Sequence, residues 1–94
     1  MNIQSLLTRE GVTIVDVREV YEFRSGHIEG SVNIPLSELG KSLDRYKQLS
    51  RPLILVCRTG NRSGMVTEFL RRQGLQEVYN GGAWDDVADW KRAA

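Results

Sequence analysis

The sequence predicts an α/β fold, a central parallel sheet with helices on both faces. Three observations carry that expectation. Two apolar runs, Val12-Thr13-Ile14-Val15-Asp16-Val17 and Pro52-Leu53-Ile54-Leu55-Val56, are nearly unbroken and rich in β-branched residues. That is the pattern of strands covered on both faces, not the alternation of a half-solvated sheet. Segments with apolar residues at helical spacing lie between and after these runs. The connections are short and punctuated by glycine or proline, which suits right-handed crossovers between parallel neighbours.

Composition narrows the function classes. With 94 residues, the chain has room for one domain spanning 1–94 and not for two. Thirteen Lys and Arg against 12 Asp and Glu give a formal charge of +1, so nothing in the overall field recommends nucleic acid or an acidic membrane as a partner. Any preference for anions must be local. The single cysteine rules out an internal disulfide and a thiolate-rich metal site within one chain. The N-terminal stretch lacks a basic region followed by a long apolar core, and no apolar run could span a bilayer. A cytoplasmic monomer is the expectation.

The elements follow in order. Ile3, Leu6 and Leu7 have helical spacing before Gly11 and suggest a short lead-in packed on the sheet. Residues 12–17 form the first core strand. Glu19 to Ser25 reads as a short helix with Val20 and Phe23 on one face and Gly26 as its stop. His27 to Pro35 is a turn into a short strand closed by proline. Ser37 can cap a helix carrying Leu39, Leu43 and Tyr46 at i, i+4 and i+7, weakened by Gly40 and ending before Arg51-Pro52. After the strand at 52–56, a helix starting near Ser63 turns Met65, Val66, Phe69 and Leu70 inward and Arg71-Arg72-Gln73 outward, ending at Gly74. Gln76-Glu77-Val78-Tyr79 is the last strand, broken by Gly81-Gly82. Trp84, Val87 and Ala88 give the final helix its apolar face, with Trp90 near the edge.

Chemistry concentrates where the second apolar run ends. The loop Cys57-Arg58-Thr59-Gly60-Asn61-Arg62, followed by Ser63, joins a strand to a helix at the carboxyl edge of the sheet, where ligands of such sheets bind. Loop N–H groups and the helix N-terminus converge there with partial positive charge, and a thiolate is an anion. Arg58 and Arg62 would add charge, and Gly60 would let the backbone close around the sulfur. A free cysteine ending a strand is by default a small buried hydrophobe; the polar loop, two arginines and following helix argue for a reactive one. Elsewhere the readings are structural. Arg18 is expected to pair with Glu22 four residues on, Asp16 to accept backbone hydrogen bonds near the loop, and His27 to make a structural hydrogen bond. Trp84 and Trp90 read as core and rim, and Arg71-Arg72 as a solvated helix face.

Taken together, Asp16-Val17-Arg18-Glu19, Glu22-Phe23, Gly26-His27-Ile28-Glu29-Gly30-Ser31-Val32-Asn33-Ile34-Pro35-Leu36, the Cys57–Ser63 loop, Gly81-Gly82 and Trp84 resemble a single-domain rhodanese, a thiosulfate sulfurtransferase of the small bacterial type. The resemblance runs over nearly the whole chain. It implies a parallel sheet of about five strands, the first reduced to a few residues near Ile3. It also implies that Cys57 is the nucleophile and persulfide carrier, with Arg58, Thr59, Gly60, Asn61, Arg62 and Ser63 as the sulfur cradle. The donor would be a small sulfur-containing anion, thiosulfate, and the acceptor cyanide, a thiol or a thioredoxin-like protein. No metal or organic cofactor is called for. The alternatives are a sulfur relay serving a protein partner and a non-catalytic binding module. A phosphatase or arsenate reductase is disfavoured by loop length, since those loops hold five residues between Cys and Arg and Arg58-Thr59-Gly60-Asn61 leaves four.

Overall fold

A computed structural model describes residues 2–94. Its sheet is built from β1 (Thr13–Asp16), β2 (Val32–Asn33), β3 (Leu53–Cys57) and β4 (Val78–Ala83), all parallel, in the order β2-β1-β3-β4. Helices α1 (Ile3–Leu6), α2 (Val20–Ser25), α3 (Leu43–Gln48), α4 (Asn61–Arg72) and α5 (Trp84–Ala93) join and cover the strands, with a 3-10 helix at Leu36–Lys41. Side chains of β3 alternate between two cores, as the pleat requires. Leu53, Leu55 and Cys57 join Val15, Val17, Ile34, Tyr46, Val66 and Leu70 on one face. Ile54 and Val56 join Leu6, Ile14, Ile28, Val87 and Ala88 on the other. All five residues of β3 are buried, which explains its uninterrupted apolar sequence.

The described sheet has four strands where the resemblance implied about five. The segment near Ile3 is helical because Asn2 caps it, its Oδ1 accepting from the Ser5 N–H at 2.8 Å. The expected helix from Ser37 is divided. Residues up to Lys41 wind as the 3-10 helix behind Pro35, and α3 starts at Leu43. Ser37 does not cap it; its hydroxyl donates to Glu19 Oε1 at 2.9 Å. Helix α4 begins at Asn61, ahead of Ser63, with Gly60 as its N-cap in the left-handed region.

Two further expectations are corrected. Met65 is 56% exposed, because α4 presents Ser63, Val66, Thr67 and Leu70 to the sheet and leaves position 65 on the outer face. Strand β4 also runs through Gly81-Gly82 instead of stopping there. A bulge absorbs one residue, so that Leu55 faces Asn80 while Val56 faces Gly82. Gly81 sits in that bulge with no room for a side chain, since a Cβ would lie 2.7 Å from Ile54 Cγ2. The bulge matters for function because it sets what faces Cys57.

Candidate active site

Strand β3 delivers Cys57 at its last position, 1% exposed, at the carboxyl edge of the sheet. The chain then turns through Arg58, Thr59 and Gly60 into α4. Gly60 holds φ +101°, and a Cβ there would come within 3.2 Å of Gly82 Cα, so both conformation and space select glycine. The turn folds donors back onto the sulfur. Cys57 Sγ accepts from Gly60 N at 3.0 Å and from Ser63 N at 3.4 Å, and Ser63 Oγ lies 3.3 Å away. Burial pushes the thiol toward neutrality, and the Ser63 hydroxyl with the N–H groups of Ser63, Gly60 and Thr59 outweighs it, leaving the pKa below its ordinary value of 9.0. The cradle is therefore made by amides and one hydroxyl more than by arginine charge.

The loop residues divide by position. Arg58, Thr59 and Asn61 point to solvent, and among the described residues Arg58 makes no ion pair. Arg62 is half-buried and forked onto Glu22 of α2, Nη1 to Oε1 at 2.6 Å and Nη2 to Oε2 at 3.0 Å. Hydrogen bonding to Glu22 raises the Arg62 pKa despite burial, and the charge of Cys57 adds to it. The same contact holds Glu22 down at about 2 against the opposing cost of burial, with the Glu19 N–H contributing less. Ser63 is fully buried beneath the sulfur.

Arg18 does not pair with Glu22. Asp16, fully buried where β1 ends, requires a countercharge, and Arg18 folds back onto it with Nη2 2.7 Å from Oδ2 and Nε 3.0 Å from Oδ1. Arg18 also donates to the Gly26 carbonyl at 2.7 Å and lies 4.6 Å from the Trp84 ring, tying β1, α2 and α5 together under the loop. Asp16 accepts the Arg18 backbone N–H at 3.0 Å as well. His27 Nδ1 bonds the Phe23 carbonyl at 2.8 Å and its ring stacks on Phe23, a structural position. Arg71 is not simply solvated: it folds over the edge of β4 and donates twice to the Val78 carbonyl, at 3.0 and 2.6 Å. Arg72 pairs with Glu68 on the exposed face of α4.

One residue of the site escaped the sequence reading. Asn80, one position before the glycine pair, donates through Nδ2 to the Gly60 carbonyl at 3.0 Å. Its Oδ1 accepts from Gly82 N at 3.1 Å and lies 2.7 Å from Ser63 Oγ. No sequence signal marks it, because its place beside the loop depends on the bulge in β4. Among the described residues no group of three or more His, Cys, Asp or Glu is arranged to hold a metal.

The rhodanese-like domain family matches residues 2–86. The thiosulfate sulfurtransferase GlpE of Shewanella oneidensis is 35% identical over 82 residues, covering 83% of this chain and 80% of that protein. A putative sulfur carrier protein, YrkF of Bacillus subtilis, is 34% identical over 77 residues, covering 82% of this chain but only 41% of its own length. This chain spans about half the length of its longer curated relatives. A human single-domain sulfurtransferase, TSTD1, superposes with a TM-score of 0.73 at 27% identity, covering 93% of this chain and 89% of that one. With the family model matched over residues 2–86 and the α/β fold shared with a solved single-domain relative, the chain belongs to the rhodanese-like domain family.

Proposed function

We propose that this chain moves the outer sulfur of thiosulfate, or of a related anionic donor, through a persulfide on Cys57 to cyanide or a thiol. One observation carries the reading: the chain's only cysteine lies in a strand-to-helix turn whose amides and Ser63 hydroxyl converge on its sulfur and lower its pKa. In the loading step the Cys57 thiolate attacks the outer sulfur of thiosulfate. The sulfur–sulfur bond of the donor breaks and sulfite leaves with its electron pair. In the unloading step the acceptor attacks the outer sulfur of the persulfide, giving thiocyanate or a new persulfide and returning the Cys57 thiolate. Amides that stabilise the thiolate at the start also stabilise it as leaving group at the end.

Arg58 is assigned to donor binding, because it follows the nucleophile, faces solvent and has no fixed partner among the described residues. Arg62 contributes a positive field at the sulfur while remaining tied to Glu22. Thr59, Gly60 and Asn61 supply the turn and the start of α4. A second reading, in which the acceptor is a thiol on a partner protein and the chain works as a relay, rests on the name of YrkF alone and ranks below the first. No described helix is long and apolar enough to cross a membrane.

Intact mass spectrometry tests the reading. Incubation with thiosulfate should add one sulfur atom, and cyanide should remove it. Cys57→Ser should abolish both while leaving the fold intact, because the replacement is nearly isosteric. An unchanged mass in the natural protein, or thiocyanate formation by the serine variant, would overturn the assignment.

A further inference from the structure

The Ser63 hydroxyl has two acceptors and one proton. It lies 2.7 Å from Asn80 Oδ1 and 3.3 Å from Cys57 Sγ, and it can donate fully to only one of them. Asn80 cannot evade the competition by turning its amide over. Its Oδ1 is held by the Gly82 N–H at 3.1 Å and its Nδ2 by the Gly60 carbonyl at 3.0 Å, so a flip would set donor against donor and acceptor against acceptor. Asn80 is an exposed residue, yet both ends of its amide are held. A Cβ on Gly64 would come within 3.1 Å of Asn80 Nδ2, and one on Gly60 within 3.9 Å.

We propose that Asn80 is a positioning residue that competes with the Cys57 sulfur for the Ser63 hydroxyl proton and thereby sets how strongly the cradle stabilises the thiolate. The proposal rests on Cys57 being the reactive group but goes beyond it. When Cys57 is a thiol, Ser63 donates to Asn80 and offers a lone pair toward the sulfur. When Cys57 is a thiolate, the hydroxyl turns its proton to the sulfur at the cost of its shorter bond to Asn80. When the sulfur carries a persulfide and its charge has moved outward, Asn80 again accepts the proton. The hydroxyl thus has a partner throughout the cycle, and the thiolate is kept less stabilised than Ser63 alone would make it. A less stabilised thiolate is a better nucleophile toward the donor and a poorer leaving group at unloading.

The charged groups on the loop and on the elements that flank it remain in place when Asn80 is changed. They are Arg58 and Arg62 of its own loop and helix, Glu22 of α2 bound to Arg62, the Asp16–Arg18 pair at the end of β1, and Asp85 and Asp86 in the first turn of α5. The test is a pH titration of the thiolate ultraviolet absorbance, with Cys57→Ser as the blank; the single cysteine makes the signal unambiguous. Asn80→Ala should move the midpoint to lower pH, raising the thiolate fraction below the midpoint roughly tenfold, the scale of one hydrogen bond to a charged group. Asn80→Asp, which accepts the proton more strongly, should move it to higher pH. Ser63→Ala should raise the midpoint, and adding Asn80→Ala to it should change nothing further. A midpoint that Asn80→Ala leaves unmoved or raises, a shift of the same sign in the Ala and Asp variants, or a full Asn80→Ala effect in the Ser63→Ala background would each overturn the proposal. The titration needs no turnover, so it stands or falls separately from the persulfide experiment.

Discussion

Glu22 shows how a single side chain joins the stability of the loop region to its charge. It accepts both Arg62 nitrogens and the Glu19 N–H, so one carboxylate fixes the start of α2 and the first turn of α4. Its pKa is held near 2, below the 4.5 of a free glutamate, chiefly by hydrogen bonding to Arg62. A carboxylate whose pKa is depressed on folding stabilises the folded state above its unfolded pKa, and that contribution disappears as the pH falls through the folded value. Stability relative to Glu22→Gln should therefore be full above pH 4.5, decline below it, and be gone by about pH 2. The pair is partly solvated, so the difference at neutral pH should be no more than about 1 kcal/mol. Denaturant unfolding of both proteins across this window checks it; a difference that does not change with pH would show that the ion pair contributes nothing. The identity of Glu22's partner was not legible in the chain. Arg18 stands at helical spacing from it, whereas Arg62 is forty residues away, and only the burial of Asp16 decides that Arg18 turns to Asp16 instead.

At the level of elements, the buried strands, the cysteine turn and the apolar face of α4 at Val66 and Leu70 could be read from local pattern, because period and turn chemistry are local properties. What could not be read depended on packing between elements. Gly81-Gly82 looks like a strand terminator in one dimension, yet in three it is a bulge that lets β4 continue to Ala83 and brings Asn80 to the loop. Gly40, by contrast, lies in the 3-10 helix with nothing within 4 Å of a would-be Cβ. The two glycines should therefore respond oppositely to alanine. Gly81→Ala drives a methyl to 2.7 Å from Ile54 Cγ2 and 3.1 Å from the Leu55 carbonyl, and should cost about 1–3 kcal/mol as β3 and β4 are pushed apart. Gly40→Ala should be neutral or stabilise by up to about 1 kcal/mol, since it only removes freedom from the unfolded chain. Urea midpoints of the two variants settle the comparison, and equal effects would mean that the bulge tolerates a side chain. Because Gly81 is adjacent to Asn80, its alanine variant should also perturb the Cys57 titration, whereas Gly40→Ala should not.

At the scale of the whole molecule, the sheet separates a face that carries Cys57 from one that does not. The second face is closed by α1 and α5, with Leu6 fully buried among Ile14, Ile54 and Val87. The stretch expected to hold a vestigial edge strand thus contributes by covering the core instead of by pairing, and Arg71 and Asn80 occupy backbone groups of β4, Val78 O and Gly82 N, by side-chain hydrogen bonds. If α1 is part of the cooperative unit, Leu6→Ala should destabilise the protein by about 2–5 kcal/mol, the range for removing a buried leucine. That is a large fraction of the roughly 5–15 kcal/mol typical of a folded domain. If α1 is a loosely attached lead-in, the same change should leave the unfolding midpoint nearly unmoved. Activity separates stability from chemistry. Leu6 packs on the face opposite Cys57, so below its unfolding temperature the variant and the natural protein should show equal sulfur loading when given thiosulfate. Loss of loading in a protein that is still folded would show that the second core sets the geometry of the cysteine turn through β3, where Ile54 and Val56 face one core while Leu55 and Cys57 face the other.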